Sequence, residues 1–276
     1  MEKAIIFGAG SIGEKVLILN KEKYEIIAFT DNDINKIGTV YCSLPVISPQ
    51  ELMDIKFDVI LIGSLIGLND IPKQLEEIGI HKRIDSSYAQ LSVDSRILFL
   101  SRYAELTIQN HIEGEVAEAG VFRGEFAQYI NFYFPHKRLY LFDTFEGFDD
   151  RDFKYEQEES FTDAKHISET SVVWVMNKMK YKENVIIKKG YFPDTTTGIV
   201  DQFCFVNLDM DLYKPTLEGL RFFYPKMNSG GIILIHDYFS KVFPNVKRAV
   251  EDFDKEIEGN LTLCPIGDDL SIAIVK

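Results

Sequence analysis

Cysteine is scarce in this sequence and nowhere paired. Cys42, Cys204 and Cys264 are the only three, far apart and without a CxxC. Neither a disulfide framework nor a thiolate zinc site is signalled, and a reducing cytoplasm is the expected compartment. Positive charge is short as well: 30 Lys and Arg against 43 Asp and Glu give a net charge of −13. Nucleic acid is bound by a surplus of cations that displaces phosphate counterions, so no nucleic-acid partner is expected. Long apolar runs are also missing. Nothing approaches the roughly 20 residues needed to cross a bilayer, and the opening "KAIIFGAG" is too short for the core of a signal peptide.

What is present is an ordinary globular balance, 46% hydrophobic and 26% charged over 276 residues, enough for two modest domains. Residues 1–88 alternate strand and helix ("KAIIFGAG", "SIGEKVLILNK", "YEIIAFTDND", "SPQELMDI", "FDVILIGS", "DIPKQLEEIG"), the pattern of a parallel sheet with right-handed crossovers. This is half of a Rossmann-like unit. Residues 89–112 read as a helical connector. Residues 113–276 then form a second α/β series, from "GEVAEAG" through "RLYLFDTF", "QFCFVNLDMD" and "GGIILIHDY" to "LTLCPIGDDLSIAIVK". Its last segment predicts a terminal antiparallel hairpin. The fold class expected is therefore α/β, with two Rossmann-like parallel-sheet domains.

In "EAGVFRG", Glu118 precedes Gly120 and Gly124, and Asp143 ends the next strand 23 residues after Gly120. Glycine lets a ligand approach helix N-terminal N–H groups, and an acid at that distance meets ribose hydroxyls, so the pair points to a nucleoside. The bland alternative is that the glycines allow close packing and Asp143 is a cap. Two further apolar runs, "FVNLDMDLY" and "GGIILIHDY", stop in acids. If these strands are neighbours, their tips lie about 5 Å apart, and Asp209 faces Asp237. Carboxylates that close repel unless a cation sits between them, and a hard divalent ion is the natural occupant. His236 is a third ligand, a base, or simply a strand-end histidine. Asp211 is expected to orient the loop "DLYKPT". Trp174 is expected in the core.

Together, "EVAEAGVFRGEFA", "LYLFDTFEGF", "GYFPDT" and "FVNLDMDLYKPTLEGLRFFYPKMNSGGIILIHDY" resemble the macrocin O-methyltransferase family over residues 100–276. The resemblance implies a class I methyltransferase fold that uses S-adenosylmethionine and a divalent metal, Mg²⁺ or Mn²⁺, to methylate a sugar hydroxyl in surface-polysaccharide or glycoside biosynthesis. It implies that Glu118, Gly120 and neighbouring backbone through Arg123 and Gly124 hold the methionine end of the cofactor. Asp143 would bind its ribose, and Asp194 would lie near the site. Asp209 and Asp237 are the implied metal ligands, joined by His236 where the family usually has another aspartate. An imidazole there suits Mn²⁺, Fe²⁺ or Zn²⁺ better than Mg²⁺. Asp209 and His236 are the implied catalytic pair, each a candidate proton acceptor. The acidic, aromatic stretch Asp149 to Thr170 resembles the family's variable acceptor region, and the family favours a homo-oligomer.

"GAGSIG", with Gly8, Gly10 and Gly13, is a GxGxxG between strand and helix, and Asp31 ends the second strand where a ribose acid would sit. The unit is short, supplying only one mononucleotide half. It resembles the N-terminal domains of bacterial polysaccharide enzymes, including sugar O-acyltransferases and relatives of nucleotide-sugar epimerases, which implies a handle for a nucleotide-sugar acceptor. Two other readings stay open: an NAD-dependent nucleotide-sugar oxidoreductase or epimerase, and a non-catalytic binding protein with a decayed methyltransferase domain.

Overall fold

In a computed structural model, residues 1–65, 67–156 and 170–276 are described. The chain divides into two compact units, Met1–Asp94 and Ser95–Lys276.

The N-terminal unit runs β1 (Glu2–Phe7), α1 (Ser11–Asn20), β2 (Tyr24–Thr30), β3 (Val40–Tyr41), β4 (Leu44–Ile47), β5 (Val59–Ile62), α2 (Asp70–Glu77) and β6 (Arg83–Asp85), and ends in the first turns of α3 (Ser87–Gln109). Its six strands are ordered β3-β4-β2-β1-β5-β6, parallel except for the β3–β4 pair. Alternate side chains enter two cores, Ala4, Ile6, Val59 and Leu61 on one face and Ile5, Phe7, Ile60 and Ile62 on the other. A parallel sheet covered on both faces needs such unbroken apolar strands. "SPQELMDI" forms only a 3₁₀ turn over Gln50–Asp54 instead of the expected helix. The Ser48 N–H and hydroxyl both donate to Glu51 at 2.7 Å, a capping arrangement, yet Leu52 alone is buried, so nothing rewards a second turn.

The C-terminal unit continues α3 and adds β7 (Glu115–Ala119), α4 (Ala127–Tyr133), β8 (Leu139–Asp143), α5 (Val172–Lys178), β9 (Val185–Lys189), β10 (Phe203–Leu208), α6 (Tyr213–Phe223), β11 (Met227–Ile235), α7 (Pro244–Glu256), β12 (Thr262–Pro265) and β13 (Ile272–Val275). The order is β12-β13-β11-β10-β7-β8-β9, and β13 runs antiparallel to both neighbours, which is the terminal hairpin expected. Helices α6 and α7 cover one face through Leu217, Leu220, Phe223, Val250 and Phe253. The other face takes α3, α4 and α5 through Leu100, Tyr103, Ile130 and Val175. Trp174 is 50% exposed rather than in the core, because seven-residue α5 turns only Val175 fully inward.

Helix α3 is one 23-residue helix that takes in residues 89–109 of the expected 89–112 connector, and from Ser95 it belongs to the C-terminal unit. It is fastened at a β-bulge. The register of β10 slips between Phe203 and Phe205 against both neighbours, and the Tyr103 hydroxyl lies 2.9 Å from the carbonyls of Cys204 and Gly230. Tyr103→Phe strips the bulge of this partner while keeping the ring. It should lower stability by about 1–3 kcal/mol, seen as a lower urea midpoint at unchanged slope.

Candidate functional site

The first part of the site is the turn after β7. Gly120 has φ +82°, and a Cβ there would collide with the Asp209 carbonyl. Strands β7 and β10 are neighbours, and Asp209 N–H donates to Ala119 at 2.8 Å. The turn is closed from the tip of β8. Asp143 Oδ2 accepts from Val121 and Phe122 N–H at 2.8 Å each, and Oδ1 accepts from Phe145 N–H at 2.6 Å. Phe122 and Phe145 both sit at positive φ, 49° and 55°, a conformation that persists only where surroundings enforce it. Asp143 therefore works as a latch on the turn. Gly124 meets Val175 of α5, and the Arg123 guanidinium lies 4.9 Å from the Phe122 ring and 5.9 Å from the Trp174 ring.

The second part is a polar line buried between β7 and β10. Glu118 is 2% exposed and Asn207 fully buried. Asn207 Nδ2 donates to Glu118 Oε1 at 2.8 Å, and its Oδ1 accepts from Arg96 Nη2 at 2.9 Å. Arg96 Nη2 also donates to Asp209 Oδ2 at 2.9 Å, and the guanidinium lies over the Phe126 ring at 4.1 Å. Among the described residues, Glu118 Oε2 and Arg96 Nε are buried without a hydrogen-bond partner. Burial first, then the charge of Asp209, pushes the Glu118 carboxyl well above its usual range, against the pull of Arg96 and Asn207. Neither Arg96 nor Asn207 was among the candidates from sequence. Their only signals are a lone cation in "SRILFL" and an amide interrupting "FCFVNL".

The third part is the acid cluster. Leu208 pairs with Ile235, so the residues after them, Asp209 and His236, emerge side by side at the ends of β10 and β11. The two aspartates do not simply face each other: His236 Nδ1 lies 3.0 Å from Asp209 Oδ1 and 2.8 Å from Asp237 Oδ2. Burial and the Arg96 charge oppose protonation of the imidazole, but Asp209 and Asp237 outweigh them and push it up to about 10. Burial acts to raise Asp209, but His236 and Arg96 hold it well below the usual carboxylate range. Asp211 is raised by burial and by the charges of Asp237 and Asp209. Asp211 and Asp237 carry φ values of 61° and 59°, placing enforced left-handed backbone at the site.

One ligand atom each from Asp209, His236 and Asp237 lies within 4.8 Å of the others. Two carboxylates and an imidazole at this spacing fit a divalent ion, with the mixed donor set favouring a transition metal over Mg²⁺. Asp194 is exposed and pairs with Arg151 at 3.3 Å. In the N-terminal unit, a Cβ on Gly8 or Gly13 would strike the carbonyl of Gly63 or Gly8, whereas Gly10 faces open space. Asp31 repeats the latch: Oδ2 accepts from Ala9 N–H at 2.8 Å and Lys36 Nζ at 3.1 Å, and Oδ1 from Asp33 N–H at 2.9 Å. Residues 157–169 of the expected acceptor region lie outside the described residues.

Residues 88–266, more than half of the chain, match the family model of macrocin-O-methyltransferase (TylF). The chain belongs to this family. Residues 88–266 are accordingly an S-adenosylmethionine-dependent O-methyltransferase domain. Residues 1–84 match the model described as C2185-like, N-terminal. Among curated relatives, demethyldecarbamoylnovobiocin O-methyltransferase of Streptomyces niveus is 35% identical over 72 residues, 26% of this chain and 27% of that one. Mycinamicin III 3''-O-methyltransferase of Micromonospora griseorubida is 25% identical over 173 residues, 57% and 67% of the two chains. The chain thus spans about a quarter of the first relative's length and about two thirds of the second's. The solved O-methyltransferase NovP superposes with a TM-score of 0.56 at 21% identity, covering 66% of this chain and 79% of that one, which shows the shared fold.

Proposed function

We propose that the chain methylates a sugar hydroxyl with S-adenosylmethionine, using a divalent metal bound by Asp209, His236 and Asp237. The observation that carries this is the convergence of those three side chains on adjoining strand tips, one strand away from the glycine turn at Gly120. That two relatives are named as O-methyltransferases, of demethyldecarbamoylnovobiocin and, at a 3''-oxygen, of mycinamicin III, supports a glycoside acceptor. The remainder of the reading is a nucleotide-linked or free sugar acceptor, a role in surface-polysaccharide or glycoside biosynthesis, a cytoplasmic location and a homo-oligomer. Among the described residues no helix is long and apolar enough to cross a membrane.

In the reaction, a carbon–oxygen bond forms to the acceptor as the sulfonium–methyl bond breaks, leaving a neutral thioether, and the hydroxyl proton must leave. The latched turn, Glu118 and the backbone of Arg123 and Gly124 position the cofactor so that the displacement is in line. A divalent ion at the carboxylates would lower the hydroxyl pKa and fix its oxygen. Asp209 accepts the proton, or His236 does once its own proton has been displaced. In the N-terminal unit, Gly10 and the turn around it are the proposed contact for the nucleotide of the acceptor.

Titration of EDTA-treated protein with S-adenosylhomocysteine, then with Mn²⁺, tests the reading. Micromolar binding of the thioether is expected, reduced at least tenfold in Asp143→Ala because two backbone N–H groups of the turn, those of Val121 and Phe122, lose their acceptor. A wild-type protein that binds neither ligand would sink the proposal.

A further inference from the structure

We propose that Glu156 is a positioning residue for the metal site, its one carboxylate bracing the far ends of the two loops that carry the metal ligands. This deepens the metal-dependent reading above and rests on it.

The ligands sit on two strand-to-helix connections. Asp209 opens the one from β10 to α6, which closes at Leu212, and His236 and Asp237 open the one from β11 to α7, which closes at Phe243. A helix begins with N–H groups that its own turns cannot satisfy, and a polar side chain just before it is the usual partner. Neither helix has one: Leu212 and Phe243 hold the cap positions, and no side-chain cap is made. Asp211, next to Leu212, has left-handed backbone and hydrogen-bonds with Asp237 instead. The missing partner comes from far along the chain. Glu156 Oε1 accepts from the N–H of Tyr213, the first residue of α6, at 2.7 Å, and Oε2 accepts from Nδ2 of Asn245, in the first turn of α7, at 2.6 Å.

A carboxylate at this point also suits the positive end of the α6 dipole. One planar group thus ties together the two helix starts, at positions four residues beyond Asp209 and eight beyond Asp237. The segment that carries Glu156 is held independently. Buried Asp152 accepts from the Tyr191 hydroxyl at 2.7 Å, and Lys214 of α6 donates to the same hydroxyl at 2.6 Å. The Tyr155 ring lies 5.7 Å from that of Tyr213. Removing the Glu156 carboxylate therefore cuts the brace and leaves the segment seated. Two rival accounts make different predictions. A cap that serves only stability would lower the urea midpoint and leave metal affinity alone. A negative charge that attracts the ion through space would be lost equally with glutamine or alanine.

The test is calorimetric titration of the EDTA-treated, dialysed full chain with Mn²⁺, beside a titration with S-adenosylhomocysteine. Glu156→Ala should weaken Mn²⁺ binding about 3- to 10-fold, short of the loss usual when a group bonded directly to a metal ligand is removed. Its S-adenosylhomocysteine affinity should stay within about twofold of wild type. Glu156→Gln keeps an oxygen for Tyr213 and, with the Asn245 amide turned over, a hydrogen bond to Asn245. It should restore Mn²⁺ affinity to within about twofold of wild type. Asn245→Ala severs one arm and should give part of the loss, adding nothing when combined with Glu156→Ala. It decides the matter if Glu156→Ala does not fold. Unchanged Mn²⁺ affinity in the folded variant, or a glutamine variant as weak as the alanine one, would overturn the brace while leaving the metal reading intact. Wild type that binds no Mn²⁺ removes the metal reading, and the brace with it.

Discussion

Gly120→Ala is expected to abolish S-adenosylhomocysteine binding and to cost about 2–6 kcal/mol of stability. Two effects add. A residue with a Cβ is strained at φ +82°, and this Cβ would run into the Asp209 carbonyl, main chain that is itself hydrogen-bonded to Ala119. Neither group can step aside without parting β7 from β10. Gly124→Ala is the informative comparison. Its φ of +78° is similar, but the added carbon would meet the two Val175 methyls at 3.2 and 3.3 Å, a contact relieved by a shift of a few tenths of an ångström and not a collision with main chain, so a loss of about 1–3 kcal/mol is expected. Denaturant unfolding of the two variants beside wild type measures both. Equal effects would show that left-handed strain alone sets the cost, and that the approach of Asp209 does not matter.

Asp209→Asn should lower kcat by about 10²–10³ and remove Mn²⁺ binding, while S-adenosylhomocysteine affinity falls much less. The substitution keeps the shape but removes the charge that faces both His236 and Arg96. It also takes away the carboxylate that lies between the His236 and Arg96 cations. The glycine turn and its Asp143 latch are not touched. Retained Mn²⁺ binding with lost turnover would assign Asp209 to proton transfer alone. Unchanged turnover would remove it from the site.

The two parallel sheets and the terminal hairpin were legible in the sequence, and so was the neighbouring of the two strands that lead into Asp209 and Asp237; the place of His236 between the two aspartates was not. Apolar strands that stop in acids announce both a buried parallel sheet and the end at which its ligands gather. Arg96 and Asn207 were not legible, because each looks unremarkable beside its own neighbours. Their meaning arises only when α3 lies against the sheet and β7 is placed beside β10, a matter of tertiary contact between residues more than a hundred positions apart. The connector was read as helical, and a helix occupies most of it; its apolar spacing is irregular because the helix buries Leu100, Tyr103 and Ala104 while Leu98 and Leu106 stay exposed. Asp143 was foreseen as a residue of importance, and both of its proposed roles used the same position. Geometry shows the cap, with three backbone donors on one carboxylate.

That latch has a consequence for how quickly a ligand can be accepted. The turn between β7 and α4 is held by an acid on the next strand, so it has its binding shape before anything arrives. Little chain disorder remains to be lost on encounter. Association of an adenosyl ligand with this turn should therefore follow a single exponential whose rate rises linearly with concentration, without the plateau that a slow closing step imposes. Cutting the latch by Asp143→Ala would convert the same encounter into a search among loop shapes.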